Sequence, residues 1–315
     1  MKRAFVFPGQ GSQVVGMGKA LADAFPQARA VFDEVDAALS QKLSTLMWEG
    51  PAEELTLTAN AQPALMAVSL ATLRVLESEA GLDLARDVAF VAGHSLGEYS
   101  ALAAAGSLSI TDTARLLRIR GNAMQEAVPV GEGAMAALLG LEFDAALAVA
   151  REAAQGQVCD AANDNGGGQV VVSGHKAAVE RAIGIAQEKG AKRAVMLPVS
   201  APFHCGLMAP AAEAMREALS KVTFQAPKVP VVANVEAKPI SDPTTLRDAL
   251  VRQVTDTVRW RESVAAMAGA GVEAFFEVGA GKVLTGLAKR IAPNASATAI
   301  GTPDDIAAFK SSLNG

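Results

Sequence analysis

The segment that most constrains the fold of this chain is an apolar run at residues 88–92, which leads through a glycine-bounded turn into a helical stretch. The turn has the sequence Gly-His-Ser-Leu-Gly at residues 93–97, and mostly small and apolar residues follow at 98–105. A run that is apolar on both faces is typical of a strand in a buried parallel sheet. A similar order begins at residues 4–7, where an apolar run enters a turn at 8–12. Strands, tight turns and helices in alternation predict an α/β fold.

The middle of the chain predicts a second, smaller unit. Its segments follow one another in the order βαββαβ, which is the order of a ferredoxin-like unit. Pro129 precedes this unit and Pro198 lies at its end. We therefore expect residues 129–198 to form a small domain inserted into a larger one, which is built from residues 1–128 and 199–315. The expected strands are 133–141, 157–162, 169–173 and 193–199, and the expected helices are 143–154 and 177–189.

Composition and charge exclude several classes of protein. Half of the 315 residues are hydrophobic and 19% are charged, whereas a disordered chain has few apolar residues and a high net charge. The formal net charge of −5 provides no basic field for a polyanion, so nucleic acid is not an expected partner. The apolar runs predict neither a signal peptide nor a membrane span. Cys159 and Cys205 alone do not make a secreted disulfide framework. We therefore expect a cytoplasmic protein with no membrane partner.

Ser95 is the candidate nucleophile. It lies at the centre of a Gly-x-Ser-x-Gly pattern between an expected strand and an expected helix, which is the context of a nucleophile elbow. Such a sharp turn exposes the serine hydroxyl, and small flanking residues relieve its crowding. Main-chain N–H groups at the start of the following helix can stabilise an oxyanion. The alternative is an ordinary serine in a glycine-containing turn.

A nucleophilic serine needs a base, and the chain has three histidines. His94 adjoins the serine and points elsewhere on such a turn, and His175 is expected to be exposed at a helix start. His204 lies on a loop after the small unit, so elimination favours it as the general base. Without Ser95, a hydrogen-bonded core histidine would be the better interpretation of His204. Cys205 could suggest a thiol nucleophile, but a small buried hydrophobe is favoured at that position.

Templates for bound metals and nucleotides do not fit. Residues 11–16 have the glycine spacing of a phosphate-binding loop, but Met17 stands where that loop requires lysine. The two cysteines are far apart in the sequence, and no His-Glu-x-x-His motif is present. The sequence therefore predicts no metal site.

Several separated motifs occur in one order along nearly the whole chain. They are Phe-Pro-Gly-Gln-Gly-Ser-Gln at residues 7–13, the elbow extended through residue 100, Arg-Gly at 120–121, Met-Gln at 124–125, Gly-His at 174–175, the loop ending in His204, Gln253, Glu-Val-Gly at 277–279 and Gly-Lys-Val-Leu at 281–284. This set resembles the malonyl-CoA:acyl carrier protein transacylases of fatty-acid synthesis. The resemblance implies an α/β-hydrolase-like large domain with a parallel sheet, carrying an inserted ferredoxin-like small domain.

The resemblance also implies roles for individual residues. Ser95 would attack the thioester of malonyl-CoA, and His204 would accept its proton. The main-chain N–H groups of Gln10 and Leu96 would form the oxyanion hole. Arg120 would bind the malonyl carboxylate through a bidentate pair. From spacing alone, Arg120 is better interpreted as an arginine on a helix surface.

Three further residues take roles from the resemblance. Gln253 matches the position whose main-chain carbonyl orients the histidine in this family, where no acid does so. Asn163 lies near a family asparagine that supports the site. Phe203 is bulky and precedes His204, so it should leave little room for an α-methyl branch. We therefore expect malonyl to be preferred over methylmalonyl.

The activity implied by the resemblance is ping-pong transfer through a malonyl-serine intermediate. Malonyl-CoA and CoA are substrate and product, acyl carrier protein is the partner, and no cofactor, metal or second copy of the chain is expected. One alternative is an esterase or thioesterase, which would share Ser95 and His204. The other is a non-catalytic homologue that binds acyl carrier protein or serves as a scaffold. Arg120 and the inserted unit favour transfer over hydrolysis. The joint presence of Ser95, His204 and Arg120 disfavours a scaffold, since a protein that only binds needs none of them together.

Overall fold

A computed structural model describes residues 1–313 and contains two separate sheets. The strands are β1 (Arg3–Phe7), β2 (Phe90–Gly93), β3 (Gly133–Leu139), β4 (Cys159–Asp164), β5 (Gln169–His175), β6 (Arg193–Met196), β7 (Val231–Val232), β8 (Pro239–Ile240), β9 (Ala274–Val278) and β10 (Ser296–Ile300). The helices are α1 (Lys19–Ala24), α2 (Pro26–Leu39), α3 (Leu43–Glu49), α4 (Ala52–Thr56), α5 (Thr58–Ala80), α6 (Leu84–Asp87), α7 (Gly97–Ala104), α8 (Ile110–Glu126), α9 (Phe143–Ala154), α10 (Lys176–Glu188), α11 (Ala209–Ser220), α12 (Pro243–Gln253), α13 (Trp260–Gly269), α14 (Val283–Ile291) and α15 (Pro303–Leu313).

The larger sheet has the strand order β10-β9-β1-β2-β7-β8, and all its strand pairs are parallel except β7 with β8. Its central strands are apolar on both faces, as the run at 88–92 predicted, because helices cover both sides. Phe7 at the end of β1 lies opposite Gly93 at the end of β2. The turns that follow these two strands therefore emerge side by side at the carboxyl edge of the sheet.

The smaller sheet has the order β4-β5-β3-β6 and is antiparallel. With α9 and α10 it confirms the predicted ferredoxin-like order βαββαβ. The structure shortens two of the predicted strands. β3 ends at Leu139, before Gly140 with a φ of 89°, and β6 ends at Met196, two residues before Pro198. A left-handed residue turns the chain, and a proline cannot donate to a ladder.

The smaller sheet is joined to the rest of the chain by direct contacts near α13. Asn163 in β4 forms a parallel bridge with Val258, a residue close to the start of α13. The Asp164 carboxylate accepts a hydrogen bond of 2.8 Å from Arg261 Nε. The domain boundaries expected at residues 129 and 198 stay a prediction, and the last two residues of the expected large domain, 314 and 315, lie outside the described residues. No helix within residues 1–313 is both long and apolar enough to cross a bilayer.

Candidate active site

Ser95 lies on a strained turn between β2 and α7, with a φ of 53°. The flanking glycines make this turn possible. A Cβ on Gly93 would lie 1.9 Å from the Gly97 carbonyl carbon, and a Cβ on Gly97 would lie 2.2 Å from the carbonyl oxygen of Phe7. Neither glycine can therefore be replaced without moving backbone. The local sequence pattern and the neighbouring strand β1 together produce the predicted elbow.

His204 lies within hydrogen-bond distance of Ser95. The distance from His204 Nε2 to Ser95 Oγ is 2.7 Å, and His204 Nδ1 lies 2.7 Å from the main-chain oxygen of Gln253. That oxygen can only accept, so we assign the proton to Nδ1 and leave Nε2 free to accept from the serine hydroxyl. Gln253 is the last residue of α12, where helix carbonyls lack partners within the helix.

The environment keeps His204 neutral. Burial lowers its pKa to about 3, and the positive charge of Arg120 acts in the same direction. Only the hydrogen bond to Gln253 raises the pKa appreciably. The imidazole can therefore accept a proton from Ser95 over the whole neutral range.

Arg120 lies beside Ser95, and its side chain is almost fully buried, with a relative exposure of 1%. Its Nη1 donates to Gln62 Oε1 at 2.7 Å, and its Nη2 donates to Gln253 Oε1 at 2.9 Å and to Ser95 Oγ at 3.0 Å. Within residues 1–313 no carboxylate oxygen lies within 4.0 Å of this guanidinium. A buried cation without an ion-pair partner favours an anionic ligand at the same place.

Gln10 and Leu96 both line the cavity at Ser95. Leu96 directly precedes α7, and Gln10 belongs to the turn after β1, so both main-chain groups are brought to the serine by the paired strands. Neither N–H donates a hydrogen bond to another residue of the described chain. Two free donors at this position fit the geometry that an oxyanion needs.

The cavity has a volume of about 420 Å³ and is lined by the turns that follow β1 and β2, by α5 and α8, and by the smaller sheet with the loop after it. Asn163 and Phe203, which were singled out from the sequence, both line it. Phe203 adjoins His204, and Asn163 is held on β4 opposite Val171. The apolar part of the lining comes from Met124, Met135, Ala137, Val171, Leu197 and Val199.

Asn234 and Glu98 contact the elbow but were missed in the sequence. Asn234 Oδ1 accepts from the Ser95 N–H at 2.9 Å, and its Nδ2 donates to the Gly93 carbonyl at 2.7 Å. Glu98 Oε2 accepts from Asn234 N–H at 3.0 Å and from Gln253 Nε2 at 2.9 Å. Nothing in the local sequence marks Asn234. Glu98 could have been recognised from the sequence, because it is the one charged residue of a short helix that is expected to be buried.

The remaining histidines and Cys205 make their hydrogen bonds away from Ser95 Oγ. His94 is half-buried, with Nε2 2.9 Å from Asn165 Oδ1 and its ring against Trp260. The expected exposure of His175 is wrong: it is half-buried, because its Nδ1 accepts the Val158 N–H at 2.9 Å. The Cys205 thiol is buried, which raises its pKa to about 11 and leaves it unreactive.

The described residues contain no group of three or more His, Cys, Asp and Glu side chains that could hold a metal ion. The arrangement at Ser95 consists of a serine hydroxyl, a neutral imidazole, two main-chain N–H groups without partners among the described residues, and a buried guanidinium. Such a set can form and break an ester on Ser95, with a preference for acyl groups that carry a negative charge.

Comparison with known proteins gives concordant matches. Residues 4–304 match the family model described as an acyl transferase domain. The malonyl CoA-acyl carrier protein transacylase of Escherichia coli K12 is 52% identical over 306 residues, which are 97% of each chain. The protein of the same name from Bacillus subtilis 168 is 47% identical, over 97% of this chain and 95% of that protein.

Solved structures agree. The acyl-carrier-protein-S-malonyltransferase of Bartonella henselae superposes with a TM-score of 0.97 at 58% identity, over the full length of both chains. A malonyl-transacylase solved in complex with a type II PKS acyl-carrier protein gives a TM-score of 0.95 at 44% identity, over 99% of this chain and all of that one.

Proposed function

The chain belongs to the acyl transferase family, and on this premise we propose that it moves a malonyl group from malonyl-CoA to acyl carrier protein, for fatty-acid synthesis. The observation that carries this proposal is the buried Arg120 guanidinium 3.0 Å from Ser95 Oγ. A general esterase has no need of a buried cation at its nucleophile. A substrate with a carboxylate at the far end of its acyl group needs one.

In the first half of the reaction Ser95 becomes acylated. His204 Nε2 takes the hydroxyl proton while Ser95 Oγ attacks the thioester carbonyl, and the new oxyanion accepts from the N–H groups of Gln10 and Leu96. When the C–S bond breaks, the leaving thiolate of CoA takes the proton from His204. The products are malonyl-Ser95 and the CoA thiol, which carries the former hydroxyl proton of Ser95, and His204 is neutral again.

The C-terminal end of α12 helps His204 through this step. Helix carbonyls at that end carry partial negative charge, and the Gln253 carbonyl contacts His204 Nδ1 at 2.7 Å. This favours the imidazolium that exists transiently between the two proton transfers. It also explains how the site works with an uncharged acceptor where many serine enzymes use an aspartate.

In the second half the thiol of the carrier's phosphopantetheine replaces CoA. His204 removes the thiol proton, the thiolate attacks the malonyl ester, and the proton passes to Ser95 Oγ as it leaves. Arg120 holds the malonyl carboxylate during both halves. The apolar lining of the cavity and the buried position of His204 keep water away from the ester until a thiol arrives.

Phe203 restricts the acyl group at its α-carbon. Its side chain lines the cavity beside His204 and is only 9% exposed. We expect malonyl-CoA to acylate Ser95 at least about tenfold faster than methylmalonyl-CoA, because one extra methyl group in a filled pocket costs ~1–3 kcal/mol. Phe203→Ser should reduce the ratio of the malonyl-CoA rate to the methylmalonyl-CoA rate. Comparable rates for the two thioesters in the unchanged protein would contradict this role of Phe203.

Other parts of the proposal concern cofactors, site support and assembly. The chemistry above uses only side chains and main-chain groups, so we propose that no cofactor or metal takes part. Asn163 is proposed to support the cavity wall from β4. We also propose that the protein is a monomer and acts in the cytoplasm.

The test is intact-protein mass after brief exposure to malonyl-CoA, followed by addition of holo acyl carrier protein. We expect a malonyl adduct that is absent in Ser95→Ala and is discharged onto the carrier. An adduct that water removes as fast as the carrier would support a thioesterase. No adduct at all, with carrier binding intact, would support a non-catalytic role.

A further inference from the structure

Glu98 is a buried carboxylate that the mechanism above does not use. It lies in the first turn of α7, three residues after Ser95, and its side chain has no exposed surface. Its Oε2 accepts two hydrogen bonds, from the Asn234 main-chain N–H at 3.0 Å and from Gln253 Nε2 at 2.9 Å. Its Oε1 has no partner within residues 1–313. A buried acid with such partners has a reason beyond packing.

The two partners of Glu98 hold the two sides of the elbow. Asn234 accepts the Ser95 N–H through Oδ1 at 2.9 Å, and Gln253 Nε2 donates to the Ser95 carbonyl at 2.9 Å. The main chain of Ser95 is therefore fixed on both of its polar groups by residues that meet at one carboxylate oxygen. Because Ser95 has a φ of 53°, this support opposes relaxation of a strained residue.

Glu98 also fixes which way the Gln253 amide points. Gln253 Oε1 accepts from Arg120, which can only donate, while Gln253 Nε2 faces the Ser95 carbonyl and the Glu98 carboxylate, which can only accept. The reversed amide would place an oxygen against both acceptors and an NH₂ group against the guanidinium. The position of Arg120 is therefore coupled to the charge of Glu98 through one amide.

The charges around Glu98 support this coupling. Arg120 of α8 and Arg252 of α12 both act on it and favour its ionised form, and Tyr99 adjoins it on α7. Burial is the larger effect and raises the pKa of Glu98 to about 7. The carboxyl group therefore changes charge near neutrality, whereas His204 does not titrate there.

We propose that Glu98 is a positioning residue: through Asn234 and Gln253, its ionised carboxylate holds the Ser95 elbow and the Arg120 guanidinium in the arrangement that accepts a malonyl group. This rests on the proposed function. The carboxylate does not touch the substrate and transfers no proton to it. Its effect is exerted on the two residues that do contact the acyl group.

The test is the rate of malonyl transfer to Ser95 as a function of pH, measured by rapid quench and intact mass. In the unchanged protein, kcat/KM for acylation should rise with pH through an inflection near 7, because ionised Glu98 is the stronger acceptor. Glu98→Gln should lower kcat/KM about 10- to 100-fold and remove the inflection, since charge-assisted hydrogen bonds are lost. Glu98→Asp should keep an inflection, because it keeps the charge.

The matched control is Glu277→Gln. Glu277 is a second buried carboxylate, bonded to the start of α14, and its replacement should leave both the acylation rate and the inflection intact.

Two results for Glu98→Gln would overturn the proposal. One is an acylation rate equal to that of the unchanged protein. The other is a lower rate with the inflection retained, because the pH dependence would then come from another group. If Glu98→Gln does not fold, the unchanged protein decides: a flat profile between about pH 5.5 and 8.5 overturns it. Absence of any adduct in the unchanged protein would reject the proposed function itself.

Discussion

Two residues of the site hold their backbone in the left-handed region. Ser95 has a φ of 53° and His204 a φ of 56°. Such conformations cost about 1–3 kcal/mol each in residues other than glycine, and they persist only where the surroundings enforce them. Asn234 holds the Ser95 N–H, and the Gln253 carbonyl holds the His204 ring. The reacting atoms therefore meet at 2.7 Å because of contacts made elsewhere.

At Arg120 we expect acyl selectivity to depend on the shape of the cation as well as its charge. Arg120→Ala should reduce the preference for malonyl-CoA over acetyl-CoA by ~1.5–3 kcal/mol, because a charge-assisted pair is lost. The malonyl preference of Arg120→Lys should lie between those of the unchanged protein and Arg120→Ala, since an ammonium cannot form the two parallel hydrogen bonds of a guanidinium to a carboxylate. The measurement is the ratio of kcat/KM for the two thioesters. An unchanged ratio in Arg120→Ala would show that the carboxylate binds elsewhere.

His204 should make the folded protein sensitive to acid. Its pKa is lowered from 6.5 to about 3, so the unfolded chain binds this proton more readily than the folded one. Above about pH 6.5 the imidazole is neutral in both states, and the free energy of unfolding is unaffected by this group. As the pH falls from there towards 3, protonation of His204 in the unfolded chain lowers the free energy of unfolding by a few kcal/mol. Urea unfolding at several pH values should show that the free energy of unfolding decreases less steeply with falling pH in His204→Gln than in the unchanged protein. Ser95→Ala retains the imidazole and should keep the wild-type slope.

At the scale of elements, the site is placed by the carboxyl ends of β1 and β2. Phe7 and Gly93 are paired in register, so the turn carrying Gln10 and the turn carrying Ser95 lie side by side. α7 then starts directly under the β1 turn, with Gly97 against the Phe7 carbonyl. The close approach of helix to strand brings Gln10 and Leu96, the proposed oxyanion donors, to the same cavity.

Gly97→Ala should break this approach. Its Cβ would lie 2.2 Å from the Phe7 oxygen and 2.9 Å from the Pro8 oxygen, so strand or helix must move. We expect the free energy of unfolding to fall by about 3 kcal/mol and acylation of Ser95 to be lost. Gly184→Ala is the control: Gly184 lies in α10 with no atom within 4 Å of its added Cβ, and alanine should stabilise that helix by ~0.5–1 kcal/mol. A Gly97→Ala protein as stable as this control would disprove the steric argument.

The elements that carry the site were predictable from the sequence to different degrees. The elbow and the ferredoxin-like order depend on local patterns, since glycine spacing and apolar periodicity act within a few residues. Arg120 was not recognisable from spacing, because its burial is created by α5 and Gln253. Asn234 was missed altogether, because it reaches the elbow across 139 residues of chain. A long-range hydrogen bond leaves no trace in local composition.

At the scale of the whole molecule, the cavity lies between the smaller sheet and the part of the chain that carries Ser95. One wall comes from the elbow and α8, and the other from the face of the smaller sheet. Asp164 in β4, which is almost fully buried, is bonded to Arg261 in α13 and secures the smaller sheet against the larger part. A substrate bound in this cavity would therefore contact both of these parts of the chain.

Arg261→Ala should loosen this connection. The Asp164 carboxylate would stay buried, with a longer bond of 3.3 Å from the Gly166 N–H as its remaining contact, which costs about 1–3 kcal/mol for a partly exposed pair. We expect that loss in urea unfolding, together with a raised KM for malonyl-CoA. Lys221→Ala removes an exposed ion pair with Glu217 and should change stability by less than about 0.5 kcal/mol. Equal effects of the two replacements would contradict a joining role for Arg261.

The oxygen that holds His204 belongs to the main chain, and this limits how inherited variation can affect the base. Every amino acid that a codon can specify at position 253 retains that carbonyl. A carboxylate in the same place could be deleted by a single nucleotide change. Missense mutations at Gln253 can therefore remove its amide contacts to Arg120 and Ser95, but the acceptor of the histidine survives them. Only a displacement of the end of α12 would take it away.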